Sequence, residues 1–244
     1  TDYAVGVGLS DPWGRIALPT AQTGVQATID FLERVPKQAP LFVFLHILDP
    51  HNPYSPPDEF NLRIKPPTLP LDEAAYLSET AYVDEQIGRL VDRLQQLGLY
   101  QESILLITSD HGEEFINPYG RPLGHGRTLF HTTLHVPFLC VEPSRIPAGK
   151  RVPNRVETVD IVPSLLELAG LPPDQKLSGK SFVSLFASSG APYDKSEAIA
   201  EGIRRGEERK CLYSDPYKLV YFQDSGRVML YDLREDPGEL KDIA

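Results

Sequence analysis

Residues 103–115 read S-I-L-L-I-T-S-D-H-G-E-E-F. Ile104, Leu105, Leu106 and Ile107 make a short apolar run with β-branched ends, closed by polar turn residues. Such a run suits a strand buried on both faces of a sheet. It stops at Ser109-Asp110-His111-Gly112, so a carboxylate and an imidazole stand side by side where a core strand ends. In open α/β sheets, ligands bind in the crevice at that end. A hard oxygen donor beside an imidazole is half of the donor set that a divalent cation takes. Gly112 permits a tight turn, and Glu113 and Glu114 are placed to open a following helix, where acidic side chains meet the positive end of its dipole. The other reading of this stretch is that Asp110 caps that helix and His111 lies on the surface. From these thirteen residues alone, both stand.

The pattern occurs again upstream. Residues 41–48 (L-F-V-F-L-H-I-L) read as a second buried strand, running into Asp49-Pro50-His51-Asn52-Pro53-Tyr54 and then a Pro-rich loop to residue 70. Between the two strands, Leu77, Ala81, Ile87, Leu90, Val91, Leu94 and Leu97 recur on one stripe of a helix that Gly98 ends. Strand, loop, helix and strand in this order predict a crossover unit of the parallel-sheet kind. Val25, Ile29 and Leu32 predict an earlier helix over 23–35. Residues 136–141 (V-P-F-L-C-V) give a third buried strand, 160–169 a short helix ended by Gly170, and 178–186 a further helical turn. Residues 187–196 are rich in Ser, Gly and Pro and mark a boundary. Beyond it, segments 197–202, 210–214, 217–222 and 228–232 are separated by turns and predict a small antiparallel sheet.

The fold class expected is therefore α/β: a largely parallel or mixed central sheet flanked by helices, over residues 1–186, with a small C-terminal antiparallel-sheet subdomain over 187–244. The length of 244 residues and 41% apolar content suit a globular protein with a sizeable core. A net charge of −10 argues against nucleic acid, which wants a basic stripe. No run is long and apolar enough for a membrane span. The two cysteines, Cys140 and Cys211, make no disulfide scaffold and leave the compartment open.

Candidate chemistry collects in three loops. His46, Asp49 and His51 follow the residue-41 strand. Asp110 and His111 follow the residue-103 strand. His125, Arg127 and His131 lie in the loop before the residue-136 strand. With His135, these are all six histidines of the chain. For any one of them a structural role is the safer reading; the set points to a site.

Four stretches, in order, resemble the sulfatase family of the alkaline-phosphatase superfamily: 41–54 (L-F-V-F-L-H-I-L-D-P-H-N-P-Y), 81–115 (A-Y-V-D-E-Q-I-G-R-L to S-D-H-G-E-E-F), 124–137 (G-H-G-R-T-L-F-H-T-T-L-H-V-P) and 159–171 (V-D-I-V-P-S-L-L-E-L-A-G-L). The tail 230–244 (L-Y-D-L-R-E-D-P-G-E-L-K-D-I-A) is similar to that family's C-terminal region. The resemblance implies a metal-assisted sulfuric-ester hydrolase acting on a small-molecule or glycan sulfate ester. By position, Asp110 and His111 match metal ligands, with calcium the family's usual ion and manganese or magnesium the alternatives. His51 matches a catalytic and sulfate-contacting histidine. His125 stands near a position that is lysine in many members, in a catalytic and substrate-binding role, and Arg127 is a candidate for holding an anionic group.

The family's nucleophile is a formylglycine made from cysteine in C-x-P-S-R or from a serine variant, N-terminal to everything quoted. This sequence contains neither that motif nor the first pair of metal aspartates. Cys140-Val141-Glu142-Pro143-Ser144-Arg145 has its proline one residue too late, and Cys140 reads as a buried core residue. The chain is therefore expected to be the C-terminal part of a sulfatase, inactive by itself. Alternatives are a phosphoryl or phosphonate hydrolase, or a phosphoethanolamine transferase, of the same superfamily, and a non-catalytic protein built on this fold. Loops 56–70 and 116–123 are where the family's substrate choice would reside.

Overall fold

The structure is a computed structural model that describes residues 20–36, 40–61, 70–115, 124–187, 193, 195–202 and 206–244. Residues 1–19, most of the segments 56–70 and 116–123 in which substrate choice is expected to reside, and the centre of the 187–196 boundary lie outside the described residues. The chain forms two units, Thr1–Gln101 and Glu102–Ala244.

In the first unit, α1 (Thr20–Arg34), α2 (Asp58–Asn61) and α3 (Leu71–Gln96) pack together. Val25, Ile29 and Leu32 of α1 bury against Leu90 and Leu94 of α3. Each such side chain removed from water contributes about 2 kcal/mol. Ala21, Phe60 and Tyr82 form a second small core. α3 ends as Gly98 requires: at φ 71° it lets Gly98 N–H donate to the Gln95 carbonyl and Leu99 N–H to that of Leu94. The buried face of α3 departs from the apolar stripe read in the sequence. It follows Ser78, Tyr82, Gln86, Leu90 and Leu94, with Glu79 beside it, so its first half buries polar groups.

Residues 41–48 form no ladder among the described residues, against the expectation of a second buried strand. Leu45 and Ile47 pack on the helical cores, and Leu45 passes so close to Gly24 that a Cβ there would stand 2.8 Å from it. Phe42 and Phe44 are 81% and 80% exposed. A run that is apolar on both faces is here covered on one only.

In the second unit, β1 (Leu105–Thr108) pairs antiparallel with β2 (Phe138–Val141), with Leu106 opposite Cys140. α4 (His131–Leu134) precedes β2, and α5 (Ile161–Leu168) follows it. The remaining strands, β3 (Glu197–Glu201), β4 (Arg209–Ser214), β5 (Tyr217–Phe222) and β6 (Val228–Asp232), form an antiparallel meander in sequence order. One face of it, bearing Ala198, Cys211, Tyr213, Val220, Phe222, Met229 and Tyr231, packs on Leu129 and Phe130. This strict alternation matches the period of two that half-buried strands impose. The segment just before α4 is thereby anchored to the C-terminal sheet. Cys140 is half-buried, less enclosed than its apolar surroundings in sequence suggest.

Candidate functional site

β1 delivers the site-bearing turn. Its last residue, Thr108, is exposed, and the chain then turns through Ser109 to Gly112 without starting a helix. The helix expected over Glu113 and Glu114 is replaced by a single bridge between Glu114 and Gly124, closed by the Gly124 N–H to the Glu114 carbonyl at 3.0 Å. Asp110 does cap something, but only locally: its Oδ1 accepts from the next backbone, His111 N–H, at 2.9 Å. Its carboxylate remains 76% exposed.

The His111 ring is oriented by its own turn. Nδ1 lies 2.8 Å from the Gly112 carbonyl oxygen. A carbonyl only accepts, so Nδ1 carries the proton and Nε2 is the ligand-capable atom. That Nε2 stands 3.6 Å from Asp110 Oδ2. Two electron-rich atoms converging at this spread suit neighbouring positions on one cation, with bonds of about 2.0–2.4 Å. Among the described residues no group of three or more His, Cys, Asp or Glu side chains is gathered for a metal ion. The pair supplies two donor atoms of the kinds a divalent cation takes.

His125 comes to the same place. Its ring stacks on His111 with centroids 4.1 Å apart and planes at 28°. Its Nδ1 lies 3.4 Å from the Glu113 carboxylate, and that carboxylate is 8% exposed. The structure thus brings together Asp110, His111 and His125, and adds Glu113, which sequence reasoning assigned only to a helix start. Arg127 is exposed, and its backbone carbonyl accepts from Arg209 at 2.5 Å. Glu114 turns the other way: it is 2% exposed, accepts from the Thr128 hydroxyl at 2.9 Å, and burial raises its pKa.

His46 and His51 belong to the first unit. His46 is exposed, near the Phe44 ring. His51 is exposed and donates from Nδ1 to the Asn52 carbonyl at 2.7 Å. Asp49, two residues before it, is engaged elsewhere. It is 5% exposed and caps α1 from a distance, accepting from Thr20 N–H at 2.7 Å, Thr20 Oγ1–H at 2.5 Å and Ala21 N–H at 2.9 Å. The other end of the His51 loop is tied down by Glu79, which accepts from Ser55 N–H at 2.5 Å. Glu79 is 1% exposed, and burial pushes its pKa up to about 7. No apolar pattern marks Glu79; its only sequence signal is a carboxylate on the inward side of an amphipathic helix. Cys140 is no nucleophile in this setting, since burial pushes its thiol up to about 11.

These features define an α/β chain with a C-terminal antiparallel sheet and an Asp–His pair at the end of a strand. Two solved structures share its fold: a phosphonate monoester hydrolase of Agrobacterium radiobacter (TM-score 0.79, 23% identity, 90% of this chain and 55% of that one) and a protein described as a putative sulfatase from Bacteroides fragilis (TM-score 0.78, 18% identity, 92% and 54%). A further structure, solved in complex with its substrate D-glucosamine-2-N,6-O-disulfate, matches with TM-score 0.64 and 26% identity over 70% of this chain and 35% of that one. The sequence signature named Sulfatase matches residues 20–171, and that of the N-sulphoglucosamine sulphohydrolase C-terminal region matches 125–244. The chain belongs to the sulfatase family. Among its relatives, arylsulfatase K of Homo sapiens is 28% identical over 86% of this chain and 40% of its own length. Arylsulfatase K of Bos taurus is 32% identical over 70% and 33%, respectively. The chain thus spans between a third and two-fifths of the length of these relatives. No described helix is long and apolar enough to cross a membrane.

Proposed function

We propose that this chain is the part of a sulfuric-ester hydrolase that supplies one half of its metal site and its leaving-group histidine. The observation that carries this reading is the convergence of Asp110 Oδ2 and His111 Nε2 at 3.6 Å, with His125 stacked on the same ring. Asp110 and His111 hold a divalent cation, calcium in the first instance, with manganese and magnesium the alternatives. Bound there, the cation would offset charge on the non-bridging oxygens of a sulfate ester.

The chain's own residues do the rest of this half. The Glu113 carboxylate beside His125 Nδ1 fixes that ring's proton on Nδ1, so Nε2 is the atom that exchanges a proton with the departing alcohol. The stack on His111 keeps that atom next to the cation site. His51 is the second sulfate-contacting group, and Arg127 an outlying cation for an anionic part of the substrate. The substrate is a sulfated small molecule or glycan, a reading supported by the disulfated glucosamine bound by one structural neighbour. We also place a subdomain boundary near residue 187, where the composition turns to Ser, Gly and Pro.

A second reading is phosphonate monoester hydrolysis, favoured by the TM-score of 0.79 to an enzyme of that name. The two separate in one assay. The protein expressed from the whole reading frame that contains this sequence is offered a matched aryl sulfate and aryl phosphonate. Faster turnover of the sulfate, abolished by Asp110→Ala, supports the sulfatase reading; faster turnover of the phosphonate replaces it. The 244-residue chain alone, which carries no C-x-P-S-R motif, is expected to turn over neither.

A further inference from the structure

The C-terminal sheet and tail contain a buried ion pair that the proposed chemistry does not use. Lys218 lies on the inward face of β5, in register with Tyr213 and Tyr231, where alternation calls for an apolar residue. It is 0% exposed, and its ammonium pairs with Glu239, itself 2% exposed, and stands 5.0 Å from the Tyr213 ring centroid. A buried cation without a partner is costly, so the pair must form together. Glu239 reaches it from a tail that is itself pinned. Asp236 accepts from Leu240 N–H and Lys241 N–H, and Ile243 N–H donates to the Leu230 carbonyl of β6. Glu239 has φ 55°, a left-handed conformation that a glutamate takes only under constraint.

The second carboxylate oxygen of Glu239 does not face the lysine. It accepts from the backbone N–H of His131, the first residue of α4, at 2.6 Å. From there a line of hydrogen bonds leads to the site. The Thr133 carbonyl of α4 accepts from Gly112 N–H at 2.9 Å, and the Gly112 carbonyl accepts from His111 Nδ1–H at 2.8 Å. α4 and the turn are in such contact at Gly112 that a Cβ there would stand 2.1 Å from the Thr132 carbonyl oxygen. Only glycine allows that approach. The orientation of His111, and hence of Nε2 and of the stacked His125, is thus referred back to α4. α4 in turn is held at its start by a charge that a lysine on the sheet holds.

We propose that Glu239, fixed by Lys218, is a positioning residue for the Asp110–His111 pair, acting through the His131 N–H, α4 and Gly112. This rests on the reading of that pair as a cation site, and it gives the C-terminal sheet a task beyond stability. Partners of this kind, one step removed from a metal ligand, set its direction and basicity.

The test removes one hydrogen atom. His131→Ala deletes the side chain but keeps the N–H that Glu239 accepts; His131→Pro deletes both. Proline is tolerated at the first position of a helix, and Phe130 already has the extended conformation (φ −73°, ψ 160°) that a following proline needs. The readout is the ring-current shift of the His111 and His125 ring protons by NMR on the full chain, which needs no metal. The Lys218→Met/Glu239→Leu double variant is the second route, since an apolar pair of similar volume keeps such a core folded. Expected is loss of the mutual ring shifts in His131→Pro and in the double variant, and their retention in His131→Ala. Wild-type ring shifts in His131→Pro or in the double variant overturn the proposal, whatever their melting temperatures. Loss in His131→Ala as well overturns it too, because the shifts then follow the side chain.

Manganese added to the same samples separates the underlying reading. Mn2+ should broaden the His111 signals of the wild type, and about tenfold more Mn2+ should be needed where the ring shifts are lost. Absence of broadening in the wild type removes the cation reading, while the ring shifts still decide the positioning claim.

Discussion

The His51 loop of the first unit and the Asp110 turn of the second are each held by a buried glutamate, but the two glutamates are treated differently. Glu239 has a cation, Lys218, and a backbone N–H. Glu79 has a backbone N–H, from Ser55, and its other oxygen has no hydrogen-bond partner among the described residues. The contrast shows how a buried carboxylate can hold a loop in two ways. Glu239 is held by a cation and a backbone N–H together; Glu79 is held by a backbone N–H, and burial pushes its pKa up to about 7. The stability of the first unit should therefore fall as pH rises from about 4.5 to about 7.

The largest expected effect breaks the paired side. Lys218→Ala leaves Glu239 buried without its cation, and should cost the second unit roughly 3–5 kcal/mol in urea-induced unfolding. A cost under about 1 kcal/mol would mean that the pair is dispensable. Next comes the unpaired side. Folded, Glu79 keeps its proton up to about pH 7; unfolded, it gives it up near its ordinary value of 4.5. Between those values the folded state binds more protons. Its contribution is therefore full below about 4.5 and is lost as pH rises through 7. Glu79→Gln should remove that slope and make the first unit more stable at pH 8 by roughly 2–3 kcal/mol. Thermal melts of wild type and variant at pH 5 and pH 8 measure it, and parallel curves would refute the unpaired state. Asp49→Ala removes three acceptor contacts at the start of α1 and should cost about 1–2 kcal/mol at any neutral pH. Glu33→Gln breaks only the half-exposed pair with Arg93 and should change stability by less than about 1 kcal/mol, and by less still in high salt.

These buried acids also mark what could be read from the sequence and what could not. The four strands of the C-terminal sheet were legible because each alternates cleanly and is bounded by turn residues. Gly98 and Gly170 were legible as helix ends, and both take positive φ. Asp110, His111 and His125 could be picked out because a strand ends before the first two and few histidines exist to choose from. Glu79, Lys218 and Glu239 could not, because a buried charge looks like a solvated one in sequence until its partner is located in space. The same blindness misread the inner face of α3, where Ser78 and Gln86 are buried and Leu77 and Ile87 only partly so. The 41–48 run failed in the opposite direction: its apolar pattern called for cover on both faces, yet Leu45 and Ile47 pack on the cores while Phe42 and Phe44 stay exposed.

The most direct test of the account is a calcium-binding measurement by equilibrium dialysis on the protein expressed from the whole reading frame. Wild type is compared with His111→Ala and Asp110→Asn. The account predicts one tightly bound calcium in the wild type and about a hundredfold weaker binding in each variant. Equal stoichiometry and affinity in all three would contradict it.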